Sequence, residues 1–213
     1  MRAMLGLFGA LIVACSAVYY AVDVLRGTTR PQRTSWGVWA LVGLLGFSSA
    51  DAGGAGPGAY AAGVDAIACA LTFLISLHPR RGKPGGRRLD LVLGVVAVGG
   101  VVLWRAGPLD DTGAATLAVS CEAIALWPTL REGWRQPGLE SLMSWAADIA
   151  GNGLCIAAVA TVSVASLAFP LYLLGAAVAM TAILVIRRQP TQVTGRPAPA
   201  PVPALSAASP LPG

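Results

Sequence analysis

A chain of 213 residues that is 55% hydrophobic and only 12% charged, with a mean hydropathy of +0.68, lies far from the roughly one-quarter charge of a water-soluble domain. Its net charge of +5 does not make it a nucleic-acid binder, because the basic residues fall between apolar runs instead of interleaving with exposed aromatics. Cys15, Cys69, Cys121 and Cys155 all lie inside apolar stretches without paired CxxC spacing, so they read as buried thiols, and no metal or cofactor is implied.

The first apolar run, about 4–25, passes through Ile12-Val13-Ala14-Cys15, which loosely resembles a lipoprotein cleavage site. Apolar character continues to Leu25, enough to cross a hydrocarbon core at about 1.5 Å per residue, so the run is read as a retained helix. Further runs occupy about 35–51, 57–77, 89–104, 112–130, 139–158 and 166–186, each bounded by Pro, Gly or charge clusters. Seven membrane-spanning helices are therefore predicted. Backbone groups in lipid must pair within their own segment, which favours helices, and the alternation of barrel strands is not seen.

Lys and Arg set the orientation, since they are retained on the cytoplasmic side of short loops. Arg26, Arg30 and Arg33 follow the first run; Arg80, Arg81, Lys83, Arg87 and Arg88 follow the third; Arg131 and Arg135 follow the fifth; Arg187, Arg188 and Arg196 follow the seventh. Thirteen of the fifteen basic residues thus share one side, and only Arg2 and Arg105 fall on the other. The expectation is a multi-pass protein of the plasma or inner membrane, N-terminus outside and C-terminus cytoplasmic. The Pro- and Ala-rich stretch 189–213 cannot bury a core and reads as a disordered tail.

An offset of 106 residues aligns the end of run one and the start of run two with the end of run five and the start of run six. The identities are Cys15/Cys121, Ala17/Ala123, Gly27/Gly133, Pro31/Pro137, Ser35/Ser141, Trp39/Trp145 and Ala40/Ala146. Their core is Pro31-x-x-Thr34-Ser35-x-x-x-Trp39 against Pro137-x-x-Glu140-Ser141-x-x-x-Trp145, a loop-to-helix junction at which Thr or Glu followed by Ser is placed to cap the entering helix. After a further shift, Tyr60-x-x-Gly63 matches Tyr172-x-x-Gly175. The predicted organisation is a three-helix repeat over 1–78, a basic loop and linker helix over 79–111, a second three-helix repeat over 112–188, and the tail 189–213. Three helices plus one linker turn both repeats the same way, giving an all-α transmembrane fold of two parallel repeats (3+1+3).

This layout resembles the PQ-loop superfamily, which includes the sugar-transporting SWEET proteins. The resemblance spans roughly residues 4–188 and is carried by Trp127-Pro128-Thr129, the loop to Pro137, and Glu140-Ser141-Leu142-x-Ser144-Trp145. Pro128-Thr129 stands where the family has Pro-Gln, and Val22-Asp23 occupies the aligned position of the first repeat. The chain is also similar to small bacterial membrane proteins of this type with no assigned activity. The resemblance implies a small-solute transporter working by alternating access, with an unidentified small-molecule substrate and the lipid bilayer as its surroundings. A homo-oligomer is compatible with it.

Five carboxylates lie in or at the edge of the runs: Asp23 and Asp51 near ends that water can reach, and Asp65, Glu122 and Asp148 near mid-membrane, where an ionised group needs a cavity or a partner. Ser141, Trp145, Asp148 and Asn152 share one face of helix six, and Asp65, Cys69, Thr72 and Ser76 share one face of helix three. The candidates for solute binding or proton coupling are therefore Asp65, Glu122, Trp145, Asp148 and Asn152. The plainer alternative is interhelical hydrogen bonding, at about 1 kcal/mol or less per contact. Trp39 and Trp145 fit either an interfacial belt or a pocket. Pro128 is a hinge candidate, since it removes a helical hydrogen bond, although proline in membrane helices is often tolerated without motion. Helix four, glycine-rich and without ionisable groups between Asp90 and Arg105, is expected to lie as a connector against one repeat. No enzyme is indicated: the single histidine, His78, sits beside Pro79-Arg80-Arg81 at a helix end, with no nucleophile–base pair in view. The competing class is a non-transporting membrane sensor or assembly protein of the same fold. A polar cavity between the repeats lined by Glu122, Asp148 and Asn152 favours transport; a dry, packed interface favours the alternative.

Overall fold

The computed structural model describes residues 1–84 and 87–188; the predicted tail lies outside them. Among the described residues the fold is all-helical. The helices are α1 (Arg2–Arg26), α2 (Arg33–Ala52), α3 (Tyr60–Ser76), α4 (Arg87–Arg105), α5 (Asp111–Arg135), α6 (Leu142–Ala157) and α7 (Val164–Arg188). Short 3₁₀ turns, Gly56–Ala59 and Pro137–Leu139, precede α3 and α6. The one pairing of β type among the described residues is an isolated bridge between Gln32 and Lys83.

Four helical stretches are long and apolar enough to cross a membrane: Arg2–Arg26, Gly56–Ser76, Asp111–Arg135 and Val164–Arg188. The distribution of side chains suits a lipid solvent. Leu7, Phe8 and Leu11 of α1, Ile67, Leu71 and Leu74 of α3, and Leu171, Val178 and Val185 of α7 point outward and are exposed, while Ser35, Glu122, Thr129 and Asn152 are buried.

Helix α1 packs against α6 and α3; α2 against α3, α5 and α7; and α7 against both α5 and α6. The α1–α6 contact is close enough to require glycine on both sides. A Cβ built on Gly9 would come within 2.6 Å of the Gly151 carbonyl, and one on Gly151 within 2.9 Å of the Gly9 carbonyl. Helix α4 rests on α2 and α5, one helix from each half, and so does not lie against a single repeat as expected. Its Gly100 is buried where an added Cβ would meet Leu117 of α5 and Leu45 of α2.

Two further expectations are corrected. Helix α5 does not stop near residue 130 but runs through Pro128 to Arg135, because a membrane helix tolerates one missing backbone donor, and α7 likewise carries Pro170 within it. The predicted caps do not form. Ser141 holds the N-cap position of α6 and Gln32 that of α2, yet neither side chain caps its helix. The Ser141 hydroxyl instead donates to Asp23 Oδ2 at 2.7 Å, and Thr34 lies inside α2.

The basic segments gather at one end of the bundle. Arg33 donates to the Ser76 and His78 carbonyls, and Arg81 to the Val24 carbonyl at 3.0 Å. Lys83 pairs with Glu132, and Arg188 donates to the Pro137 and Glu140 carbonyls. Gly27, at φ 81°, ends α1 in the left-handed conformation that turns the chain into this end. At the opposite end the loops after α2 and α6 meet, with Ala160 and Thr161 donating backbone N–H groups to the Ala55 and Gly54 carbonyls.

Candidate functional site: a polar cavity between the helices

Where the six helices other than α4 converge they leave a cavity of about 50 Å³, room for more than one water molecule. Asp65, Glu122, Trp145, Asp148 and Asn152 all line it. Of the α6 stripe Trp145, Asp148 and Asn152 line it and Ser141 does not, with Ser144 lining it instead; of the α3 stripe Asp65, Cys69 and Thr72 line it and Ser76 does not. Glu122 enters from α5 and is only 2% exposed. Asp65 lies within Coulombic reach of both Glu122 and Asp148, so the three carboxyls form one electrostatic group.

Part of this polarity is consumed by the protein itself. The Asn152 amide donates to its own helix at the Asp148 carbonyl, 2.9 Å away, and the Cys69 thiol faces Asp65 Oδ2 at 3.9 Å. Trp39 Nε1 donates to the Glu122 backbone carbonyl at 3.3 Å. Another part is left over. Glu122 Oε1, Trp36 Nε1 and Tyr172 OH are buried without any hydrogen-bond partner, and all three residues line the cavity. Buried polar atoms are nearly always paired, so three orphans around one space stand out; two more, Thr34 Oγ1 and Thr181 Oγ1, belong to residues that do not line it.

The aromatic residues settle the alternatives left open for the tryptophans. Trp39 is 6% exposed and Trp145 9%, so both belong to the interior and not to an interfacial belt. Tyr20, Trp36, Trp39 and Trp145 form a continuous series with ring centroids 4.6, 5.4 and 6.4 Å apart along one side of the cavity. Sequence reasoning missed Tyr20, Trp36 and Tyr172. Tyr172 had been matched to Tyr60, which is 44% exposed and far less enclosed than its counterpart.

Below the cavity, toward the basic end, lies a second unanticipated group. Glu140, in the loop before α6, is 3% exposed and accepts from Tyr20 OH at 3.2 Å and Trp145 Nε1 at 3.3 Å. Burial pushes its carboxyl up to about 7, against the opposing influence of those two donors. Its signal in the sequence was read as helix capping. Pro128 does not line the cavity; it is half-buried in α5 beside Thr129, whose hydroxyl donates to Ser35.

Searches against protein-family models, curated proteins and solved structures return no match to this chain.

Proposed function

We propose that the chain is a seven-span membrane protein that carries a small solute by alternating access, two three-helix units rocking about the central cavity. The observation that carries this reading is the cavity itself. It lies where α1, α2 and α3 meet α5, α6 and α7, it gathers three carboxyls, and three buried polar atoms on its walls have no partner.

The pairing of helices supports two repeated units, residues 1–78 and 112–188, joined by α4 in 79–111. Exchanging α1, α2 and α3 for α5, α6 and α7 turns the α1–α3 contact into α5–α7, α2–α3 into α6–α7, and α1–α6 into α5–α2; every one of these contacts exists. The same exchange relates two hydrogen bonds at the 106-residue offset: Ser141 to Asp23, and Thr129 to Ser35. A membrane-spanning α2 is supported by its packing among α3, α5 and α7, three of the helices long and apolar enough to cross a bilayer. The cluster of basic segments at one end supports placing that end, and the C-terminus, in the cytoplasm.

Three carboxyls with no base among the cavity-lining residues need their charge balanced by protons or by a cation, which gives proton coupling a chemical basis, with Asp148 its leading candidate. The competing reading, a sensor or assembly protein, draws on the self-satisfied contacts of Asn152 and Trp39. Reconstitution separates the two. Proteoliposomes incubated with a mixed panel of sugars, amino acids and amines, their contents read by mass spectrometry, should accumulate at least one solute over protein-free vesicles, and Glu122→Gln should reduce that at least tenfold. Contents indistinguishable from those of empty vesicles for every solute would refute transport.

A further inference from the structure

We propose that the cavity selects a small organic cation, an aliphatic amine bearing no carboxylate. The inference rests on reading the cavity as a solute site and adds the charge of the solute.

The first argument is an inventory. The lining holds Asp65, Glu122 and Asp148, and no Lys, Arg or His faces them. An anion, or the carboxylate end of a zwitterion, would meet three acids and no counter-charge in a medium of low dielectric, where an unpaired charge is costly. A cation meets the complementary field.

The second argument is the wall. Three indole rings and a phenol line one side, and the electron-rich face of Trp is the strongest aromatic partner for a cation, within about 6 Å of the ring centroid. The third is the set of unpaired atoms. Glu122 Oε1 and Tyr172 OH are acceptors without donors, as an ammonium requires, and Trp36 Nε1 is a donor free for a hydroxyl on the same ligand. Glu122 lines the cavity and is buried to 98% of its surface, so its free oxygen is shielded from bulk water. A bare metal ion fits less well: among the described residues no three His, Cys, Asp or Glu side chains converge tightly enough to hold one. An organic cation spreads its charge over the aromatic wall and asks for no tight ligand cage.

Ethanolamine carries both features, an ammonium for Glu122 and a hydroxyl for Trp36, in a molecule of a few atoms. Ethylene glycol is its neutral counterpart. The test titrates each into the purified full-length protein in detergent at constant ionic strength, reading tryptophan fluorescence and the thermal unfolding midpoint. Acetate, glucose and potassium chloride are run in parallel. Ethanolamine should change fluorescence saturably and raise the midpoint, with ethylene glycol at least tenfold weaker and acetate inactive. Glu122→Gln should weaken ethanolamine at least tenfold while retaining its circular dichroism; if that variant does not fold, Asp148→Asn serves the same purpose. Saturable binding of glucose or acetate in preference to ethanolamine, or the same response to potassium chloride alone, would overturn the cation assignment while leaving a solute site standing. No response to any probe would overturn both.

Discussion

The α1–α6 and α2–α5 seams, which the proposed repeat pairs with each other, are built from different chemistry. At the α2–α5 seam the hydrogen bonds run between neutral groups: Ser35 donates to the Ala125 carbonyl at 2.7 Å and accepts from Thr129 at 3.0 Å, and Trp39 donates to the Glu122 backbone carbonyl, while Glu122 Oε1 lies near Gly43 of α2 without a partner. At the α1–α6 seam Ser16 and Ser144 exchange hydroxyl-to-carbonyl bonds at 3.0 and 3.1 Å and the Cys155 thiol donates to the Gly6 carbonyl at 3.4 Å, while toward the basic end the contacts involve acids, Asp23 with Ser141 and Glu140 with Tyr20 and Trp145. No titratable side chain takes part in the hydrogen bonds of this first, neutral-bonded seam. The acidic seam offers several protonation states, and its Glu140 titrates near 7. On the proposed alternating-access reading, the first seam is suited to a constant pivot and the second to a response to protons.

Transplanting residues across the 106-residue offset is the sharpest way to break this comparison. Gly151 corresponds to Leu45, which is 2% exposed and well accommodated in α2. Gly151→Leu places the same side chain against Val13 and the Gly9 backbone, where even a Cβ lies 2.6 Å from Val13 Cγ2. It should produce the largest loss, upward of about 3 kcal/mol, seen as aggregation or a collapse of the thermal midpoint in detergent. A midpoint within two degrees or so of wild type would show that the α1–α6 approach is not tight.

Glu140 supplies the next effect. Its carboxyl is held at about 7 against an ordinary value near 4.5, so the folded state keeps a proton that the unfolded state releases. Stability is therefore full below about pH 4.5, declines as pH rises toward 7, and levels off above, by on the order of 3 kcal/mol. Glu140→Gln should flatten that part of the profile, measured as the difference between variant and wild-type midpoints from pH 4.5 to 8. A constant difference across that range would show that Glu140 titrates normally.

The neutral seam is tested by Ser35→Ala, which strands the Thr129 hydroxyl and the Ala125 carbonyl and should lower stability by about 1–2 kcal/mol at every pH. A pH-dependent loss would erase the distinction between the seams. The smallest effect belongs to Asp23→Thr, which installs the residue of the corresponding position; Thr can still meet Ser141, so stability should change by less than about 0.5 kcal/mol.

The sequence revealed some of this and hid the rest for identifiable reasons. Helix positions were legible because apolar runs in lipid report their own length, and the cavity-facing residues of α3 and α6 because a polar stripe at helical spacing stands out against an apolar background. Ser141 was legible as special but not in its role: its partner Asp23 is 118 residues away, and local pattern could propose only a local cap. Glu140 failed for the same reason, its donors coming from α1 and α6 together. Tyr20 and Trp36 sit toward helix ends, where an aromatic residue in a membrane protein has an ordinary explanation, Tyr172 lies within the apolar run of α7, and only packing shows that they line the cavity.

The central claim, that the cavity is a solute site reached alternately from the two faces, is tested most directly at Cys69, which lies on the cavity wall and is 2% exposed. Replacing the other three cysteines, Cys15→Ser, Cys121→Ala and Cys155→Ala, leaves it as a single reporter. In sealed vesicles of each orientation, a membrane-impermeant trimethylammonium-ethyl methanethiosulfonate should modify Cys69 from both faces, slowly, and a bound solute should slow both reactions. Modification from neither face, under conditions that fully label control cysteines introduced at the exposed loop positions Thr28 and Ala106, would contradict the account.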